Sequence, residues 1–528
     1  MTNSIQDVEQ ARFILAVGTN TTETHPVISL RVRKAVNQGA TLVVVDPRRT
    51  EMAAMAHRHL QIAPGSDLAL FLAMAHVIVR DGLTDDEFIQ ERTEGFDDLA
   101  QSLKPYTPEW AEPITAIPSS VIEQVARDYA QTSPASILYT MGLTQHVTGT
   151  DNVLSIANLA LLTGNLGKPG AGVNPLRGQN NVQGACDMGA LPNVLPGYQP
   201  VTDDGARERV GRVWDLEGLA AEPGMMMGQM FDEAAAGKVK AMYIVGENPA
   251  LSDPDASHVV EALEKLDCLV VQDIFLTETA QLADVVLPGA SFAEKEGTFT
   301  NTERRIQRVR QAVEPVGASL PDGEIVCRLA RKMGGDLGSS DPARVMGEIA
   351  SVVPQYGGVS HERLDREGSL QWPCPDGDHG GTAIMYEETF PRGRASFHAL
   401  EYRPADDESC PPEYNLQLGT GRRLYQYHTG SMSRRTPLAK LYPEEFLDVS
   451  REDARSLGLQ DGDQVRVSSP RGSVEMRARV SDEVAPGTVF ASFHFAEAAI
   501  NTLTDPRRDP VSGIPQLKVC GVKVEKVG

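Results

Sequence analysis

The chain carries the same short phrase twice, and any fold must accommodate both copies. Ala11–Val17 (A-R-F-I-L-A-V) is an apolar run that stops at Gly18-Thr19-Asn20, and Val239–Val245 (V-K-A-M-Y-I-V) stops at Gly246-Glu247-Asn248-Pro249. A helical segment follows each, around Val27–Asn37 and Ala256–Leu266, and then a second apolar run, Leu42–Val45 and Cys268–Val271. Uninterrupted apolar runs joined through a helix predict parallel strands covered on both faces. V-G-x-N occurs at 17–20 and again at 245–248, and an aspartate closes the second strand in each copy, at Asp46 and Asp273. One such unit is generic α/β architecture; two with matching loop chemistry predict an internal duplication that holds two similar ligand halves. Ligands of such sheets lie beyond the carboxyl ends of the strands, where Gly18–Asn20 and Asp46–Arg49 fall. Neither copy contains G-x-G-x-x-G, so a plain NAD site fits poorly.

Between the copies lies N-P-L-R-G-Q-N-N-V-Q-G-A-C-D-M-G-A-L-P, residues 174–192. It shows neither a 3.6 nor a 2 period, and it gathers Arg177 with the amides of Gln179, Asn180, Asn181 and Gln183. Amides supply donors and acceptors, glycines allow close approach, and a guanidinium grips an anion. A long polar loop carrying a surface arginine has the same composition, and the residues alone leave both readings open. Gly164-Asn165-Leu166-Gly167-Lys168-Pro169 resembles a phosphate loop only faintly, because proline stands where Ser or Thr should hold magnesium; it reads as a turn after an apolar helix over Val153–Leu162.

From about Pro391 the pattern changes to short alternating strands, Tyr414–Leu418, Gln464–Ser468, Ser473–Val480 and Thr488–Phe493, separated by turns such as Asp461-Gly462-Asp463. This predicts a separate β-barrel. Ser450-Arg451-Glu452-Asp453 reads as a helix N-cap, and the Gly- and Pro-rich stretch 357–378 reads as a linker or surface excursion.

With 528 residues there is material for several domains. A net charge of -23 argues against nonspecific nucleic-acid binding and against anionic membranes, and no apolar run approaches the roughly 20 residues needed to span a bilayer. The six cysteines, Cys186, Cys268, Cys327, Cys374, Cys410 and Cys520, include no C-x-x-C pair, so isolated reduced thiols are expected and no local cluster motif exists. The first residues lack the pattern of a signal peptide.

R-G-Q-N-N-V-Q-G-A-C-D-M-G-A-L-P at 177–192, with G-N-L-G-K-P-G-A-G-V-N-P before it, resembles the catalytic subunit of molybdenum- or tungsten-dependent formate dehydrogenases of the dimethyl sulfoxide reductase superfamily. Further matches are V-D-P-R-R at 45–49, V-Q-D-I-F at 271–275, A-D-V-V-L-P at 283–288, E-G-T-F-T-N at 296–301 and D-G-D-Q-V-R-V-S-S-P-R-G at 461–472. The resemblance covers essentially the whole chain. It implies an α/β fold of two related Rossmann-like parallel-sheet domains, over 1–179 and 180–320, a connecting region over 321–390, and a C-terminal double-psi β-barrel over 391–528. It implies a bis-molybdopterin guanine dinucleotide carrying Mo or W, and oxidation of formate to CO2.

By the same resemblance Arg177 holds the formate carboxylate, and a guanidinium suits that task through its bidentate fork. Gly18, Asn20, Asp46, Arg48 and Gly65 match positions around one dinucleotide. Gln145, Gln179, Gly246, Asn248, Gln272, Asp273 and Asp322 match positions around the other or around the pterins. Arg422, Gln426, His428, Thr429, His494 and Lys518 match contacts to pterin phosphates and rings in the cap domain.

The chain also departs from that family. The metal ligand there is a cysteine or selenocysteine followed by histidine, upstream of the first β-α-β unit, and a domain before it carries a [4Fe–4S] cluster. No cysteine here is followed by histidine. The expectation is therefore a C-terminal portion of such a subunit, with no metal ligand of its own and, alone, little or no turnover. Its second sheet should be short, with an exposed edge and apolar surface. Expected partners are the missing N-terminal segment or electron-transfer subunits linked to NAD, ferredoxin or hydrogenase, in the cytoplasm. The alternatives are a non-catalytic cofactor-binding module that pairs with a separate N-terminal polypeptide, or another molybdopterin oxidoreductase acting on a different oxyanion.

Overall fold

A computed structural model describes residues 1–404 and 411–528. Cys410 lies outside them; the other five cysteines are free thiols. The chain forms two compact units that do not follow chain order. The first comprises Met1–Leu176, Pro249–Val259 and Ile384–Gly528, and the second comprises Arg177–Asn248 and Val260–Ala383.

In the first unit, strands β1 (Phe13–Val17), β2 (Thr41–Val45), β3 (Arg58–Leu60), β4 (Ala135–Tyr139) and β5 (Gly172–Pro175) form one sheet. All pairs are parallel, and the order is β3-β2-β1-β4-β5. Side chains of β1 alternate between two cores: Phe13, Leu15 and Val17 pack with Leu68–Ile78 and Ile156–Leu162, while Ile14 and Ala16 pack with Ile28, Val32 and Ala35. Burial on both faces explains why the run reads as continuously apolar rather than alternating. Helix Pro26–Asn37 starts with proline, whose missing N–H costs nothing in a first turn. The chain leaves β1 towards β2 and later returns on the other side as β4, so the order reverses at β1, with the loops after β1 and β4 side by side. Helix Gly149–Leu162 ends just before Gly164, which confirms 164–169 as a turn.

In the second unit, β6 (Ala241–Val245), β7 (Cys268–Asp273) and β8 (Val285–Pro288) make a parallel sheet of order β8-β7-β6. It has three strands where its counterpart has five, and Tyr243, Val245, Val285 and Val286 are exposed by 39% to 46%. That is the short, apolar-faced sheet expected of this unit. An antiparallel sheet, β9 (Gly297–Thr300), β10 (Arg305–Val309) and β11 (Ser369–Gln371), builds the rest.

Segment 357–378 is not the linker that its composition suggests. Val359, Leu364, Leu370 and Cys374 are buried in the core of the unit, and Ser369–Gln371 is a strand. Gly357 and Gly358 serve close packing, for a Cβ on them would stand 2.2 Å from the Pro375 carbonyl and 1.9 Å from the Asp376 carbonyl.

The barrel belongs to the first unit. Strands β12 (Leu416–Gly421), β13 (Phe446–Ser450), β14 (Gln464–Ser469), β15 (Gly472–Ser481), β16 (Thr488–Ser492) and β17 (Cys520–Lys526) close in the order β12-β16-β13-β15-β14-β17, mixing parallel and antiparallel pairs. Ser450 caps the short helix Arg451–Ser456 through its hydroxyl, as its sequence predicts. On β13, fully buried Asp448 accepts from Arg423 at 2.7 Å and from Arg479 at 2.6 and 2.9 Å. The two guanidinium groups supply the pairing that a buried carboxylate requires.

Candidate functional site

The loops at the carboxyl ends of the first sheet come together through glycine. Gly18 has φ +51°, and a Cβ there would stand 2.5 Å from the backbone carbon of Gly142. The Gly142 amide and the Thr140 hydroxyl both donate to the Gly18 carbonyl, at 3.1 and 2.6 Å. Asn20 is buried and accepts from Thr22, while the Asp46 carboxylate accepts from the Arg48 amide at 2.8 Å and shapes its own turn. Burial holds the Asp46 carboxyl above the usual range.

Arg48 stacks on the Phe490 ring of the barrel, 3.7 Å from its centroid, and reaches Glu483 at 3.8 Å, but its buried Nη1 has no hydrogen-bond partner among the described residues. Lys518 donates to the Thr420 carbonyl at 2.8 Å. Burial first, and then the neighbouring Arg48 cation, pull its ammonium down to about 7. Gly65, at φ +79°, lies against Val519, and the Gln145 carbonyl accepts from the Leu517 amide at 3.2 Å. The barrel thus lays Lys518 beside Asp46 and Arg48, with Gly65 and Gln145 flanking.

A second set gathers at the mouth of the barrel. His494 accepts the Arg423 amide at Nε2 (2.9 Å) and contacts the His428 carbonyl through Nδ1, so its proton sits on Nδ1. Burial lowers His494 to about 3 and His428 to about 4, the latter helped by Arg422, so both rings are neutral. Gln426 donates to the Tyr442 carbonyl at 3.2 Å and accepts from Ser433 at 2.7 Å; Thr429 pairs with Ser431. Arg422 lies over Tyr427, and its buried Nε has no partner among the described residues.

The second unit repeats the loop geometry. Gly246 has φ +64°, and its amide donates to the Gln272 carbonyl at 2.8 Å, just as Gly18 donates to Val45 at 2.9 Å. Asp273 caps the Phe275 amide as Asp46 caps Arg48. Burial raises the Asp273 carboxyl, and Asp322 adds to that. Asn248 donates to Glu278 at 2.7 Å and accepts the Thr279 amide and hydroxyl. Gln272 takes the Tyr243 hydroxyl and donates to Asp322 at 2.6 Å, and Lys295 closes on Asp322. Tyr243 and Lys295 carried no motif signal and emerge only from this contact set.

Segment 174–192 is half structured: Asn174 and Pro175 end β5, Val182–Asp187 forms a short helix, and the remainder turns. Arg177 and Gln179 are partly buried. The Arg177 amide donates to the Thr302 hydroxyl at 3.0 Å, and its Nε donates to Gln183 Oε1 at 2.8 Å.

Residues 1–332 match the molybdopterin oxidoreductase family, and residues 416–521 match the molydopterin dinucleotide binding domain. The chain belongs to the molybdopterin oxidoreductase family. It is 48% identical to the F420-dependent formate dehydrogenase 2 subunit alpha of Methanococcus maripaludis, over all of this chain and 78% of that one. With formate dehydrogenase H of Escherichia coli it shares 39%, over all of this chain and 74% of that one. Among solved structures, acetylene hydratase from Pelobacter acetylenicus has the same fold, with a TM-score of 0.76 at 21% identity over 99% of this chain and 81% of that one.

The residues present fit a dinucleotide that carries phosphates. Among the described residues, Arg48 Nη1 and Arg422 Nε are buried with no hydrogen-bond partner, and Lys518 is buried beside Arg48 with one of its donors on a carbonyl. Such unspent buried donors are costly unless a ligand takes them. Among the described residues no group of three or more His, Cys, Asp or Glu could hold a metal ion, and no helix is long and apolar enough to cross a membrane.

Proposed function

We propose that this chain carries the pterin-holding and substrate-anchoring parts of a formate dehydrogenase that oxidises formate to CO2. The observation that carries the reading is Arg177, partly buried, with its Nε committed to Gln183 and its backbone to Thr302. Held through Nε by Gln183 and through Nη1 by Cys186 Sγ at 3.6 Å, the guanidinium is an ordered, permanent cation, suited to gripping a carboxylate. The names of the relatives support formate as that carboxylate.

When bound, the pterin-held molybdenum or tungsten supplies the two-electron redox chemistry. The chain's residues hold it: Arg48, Lys518 and Arg422 offer charge to phosphates. Gly18, Asn20, Asp46 and Gly65 present backbone and acceptors to one dinucleotide, and Gly246, Asn248, Gln272, Asp273 and Asp322 do so to the other. Gln145, Gln179, Gln426, His428, Thr429 and His494 are proposed to line the pterins. Arg177 fixes the carboxylate, so that orientation rather than covalent catalysis is its contribution. Electrons are proposed to leave to a partner subunit in the cytoplasm.

The test is a formate-dependent dye-reduction assay on the metal-analysed holoenzyme with an Arg177→Lys variant. Lysine keeps the charge and loses the fork, so the formate KM rises at least about tenfold, the scale of one lost charge-assisted hydrogen bond. Unchanged formate kinetics would rule out the anchoring role.

A further inference from the structure

Gln183 joins Arg177 to a buried carboxylate, and the chemistry of the donors fixes the hydrogen-bond polarity along that path. Asp187, 1% exposed, accepts from the Tyr356 hydroxyl at 2.6 Å and from Trp372 Nε1 at 2.8 Å, both on Oδ2. Its Oδ1 accepts from Gln183 Nε2 at 2.7 Å, and the same Nε2 donates to the Tyr198 hydroxyl at 2.9 Å. An ionised carboxylate only accepts, and an indole N–H only donates. Gln183 must therefore turn its NH2 to Asp187 and its oxygen to Arg177. The opposite amide orientation would set donor against donor at Arg177 and oxygen against oxygen at Asp187.

We infer that Asp187 and Gln183 are positioning residues for the substrate anchor: Asp187 dictates the orientation of the Gln183 amide, which in turn fixes the guanidinium plane of Arg177. The inference rests on the anchoring role proposed for Arg177. The donors to Asp187, Tyr356, Trp372, Gln183 and Tyr198, are all neutral, so none of them requires a charge there. Burial raises its carboxyl while those hydrogen bonds oppose the shift. A buried anion satisfied by neutral donors is an expensive way to fill space. It is an effective way to enforce one polarity on the next hydrogen bond. The segment that supplies Arg177, Gln183 and Asp187 puts the last two four residues apart on the short helix Val182–Asp187, on one face. Tyr356 and Trp372 reach it from the buried stretch that β11 belongs to.

The test exchanges the polarity of the path while keeping its charge. In Asp187→Asn, Trp372 still demands an oxygen, so the introduced NH2 must face Gln183. The Gln183 amide then flips and presents its own NH2 to Arg177. In the double variant, Asp187→Asn with Gln183→Glu, the introduced carboxylate accepts both from the introduced amide and from Arg177. The net charge of the cluster is then that of the parent.

The formate dissociation constant is measured by calorimetry on chemically reduced holoenzyme, where no turnover occurs, together with KM, kcat and the thermal midpoint. Asp187→Asn is expected to weaken formate binding by roughly tenfold to a hundredfold, the range for one hydrogen bond to a charged group, with a smaller change in kcat. The double variant should return binding to within about threefold of the parent. An Asp187→Asn enzyme that binds formate normally while Arg177→Lys binds it poorly would overturn the positioning role and leave the anchor standing. A double variant that stays as weak as the single one would also overturn it, by reducing Asp187 to a packing role. Normal binding by Arg177→Lys would remove the anchor itself, and the inference with it.

Discussion

The two glycine turns are alike in conformation and differ in what surrounds them, which makes a paired substitution decisive. Gly18 and Gly246 both sit in the left-handed region, at φ +51° and +64°. Placing an alanine there costs about 1–2 kcal/mol in backbone conformation, offset by roughly 0.4–1 kcal/mol from the lower entropy of the unfolded chain. For Gly246→Ala no described atom lies within 4 Å of the added Cβ, so that small balance, about 0.5–1 kcal/mol, is the whole expected effect. For Gly18→Ala the Cβ would stand 2.5 to 2.8 Å from three backbone atoms of Gly142 and Leu143. Backbone cannot rotate aside as a side chain can, so overpacking adds about 1–3 kcal/mol, for a total of roughly 1.5–4 kcal/mol. Hydrogen exchange on β1 and β6 reads the two units separately, which a single melting curve cannot do. Exchange should accelerate markedly in β1 of Gly18→Ala and barely in β6 of Gly246→Ala. Equal losses in the two variants would refute the claim that the contact of the β1 and β4 loops, rather than turn conformation, makes Gly18 necessary.

Removing the carboxylate of Asp448 leaves Arg423 buried without its partner, so Asp448→Ala should lower barrel stability by about 3–5 kcal/mol, seen as early loss of exchange protection in β13. For Lys518, held near 7 against an ordinary 10.5, the unfolded chain binds more protons between those values. The cofactor-free protein should therefore gain stability as pH rises from about 7 towards 10.5, and Lys518→Met should flatten that gain in urea titrations. A slope unchanged by the substitution would show that Lys518 is not buried in the cofactor-free chain.

Strands β1, β2, β6 and β7 and the turns after them are legible in the sequence because their signals are local. The stop of an apolar run at V-G-x-N reports a strand that must turn left-handed, and Asp46 and Asp273 each cap the turn that follows within two residues. Four of the six barrel strands, β12, β14, β15 and β16, are legible for the same reason, through alternation between Pro- and Gly-rich turns, whereas β13 and β17 carry no such flanking signal. The stretch 357–378 has the composition of a loop, yet its glycine permits close approach rather than looseness, since Gly358 lets the Asp376 carbonyl come near. The orientation of Gln183 was out of reach because it depends on Trp372, which is 185 residues from Asp187 in the chain. Lys295 and Tyr243 joined Gln272 and Asp322 in the same way, through contacts that no spacing announces.

Formate oxidation is tested most directly by its stoichiometry. Holoenzyme supplied with isotope-labelled formate and a one-electron dye should release one labelled CO2 for every two dye molecules reduced. Cofactor-loaded protein that reduces dye with formate without releasing labelled CO2 would contradict the assignment.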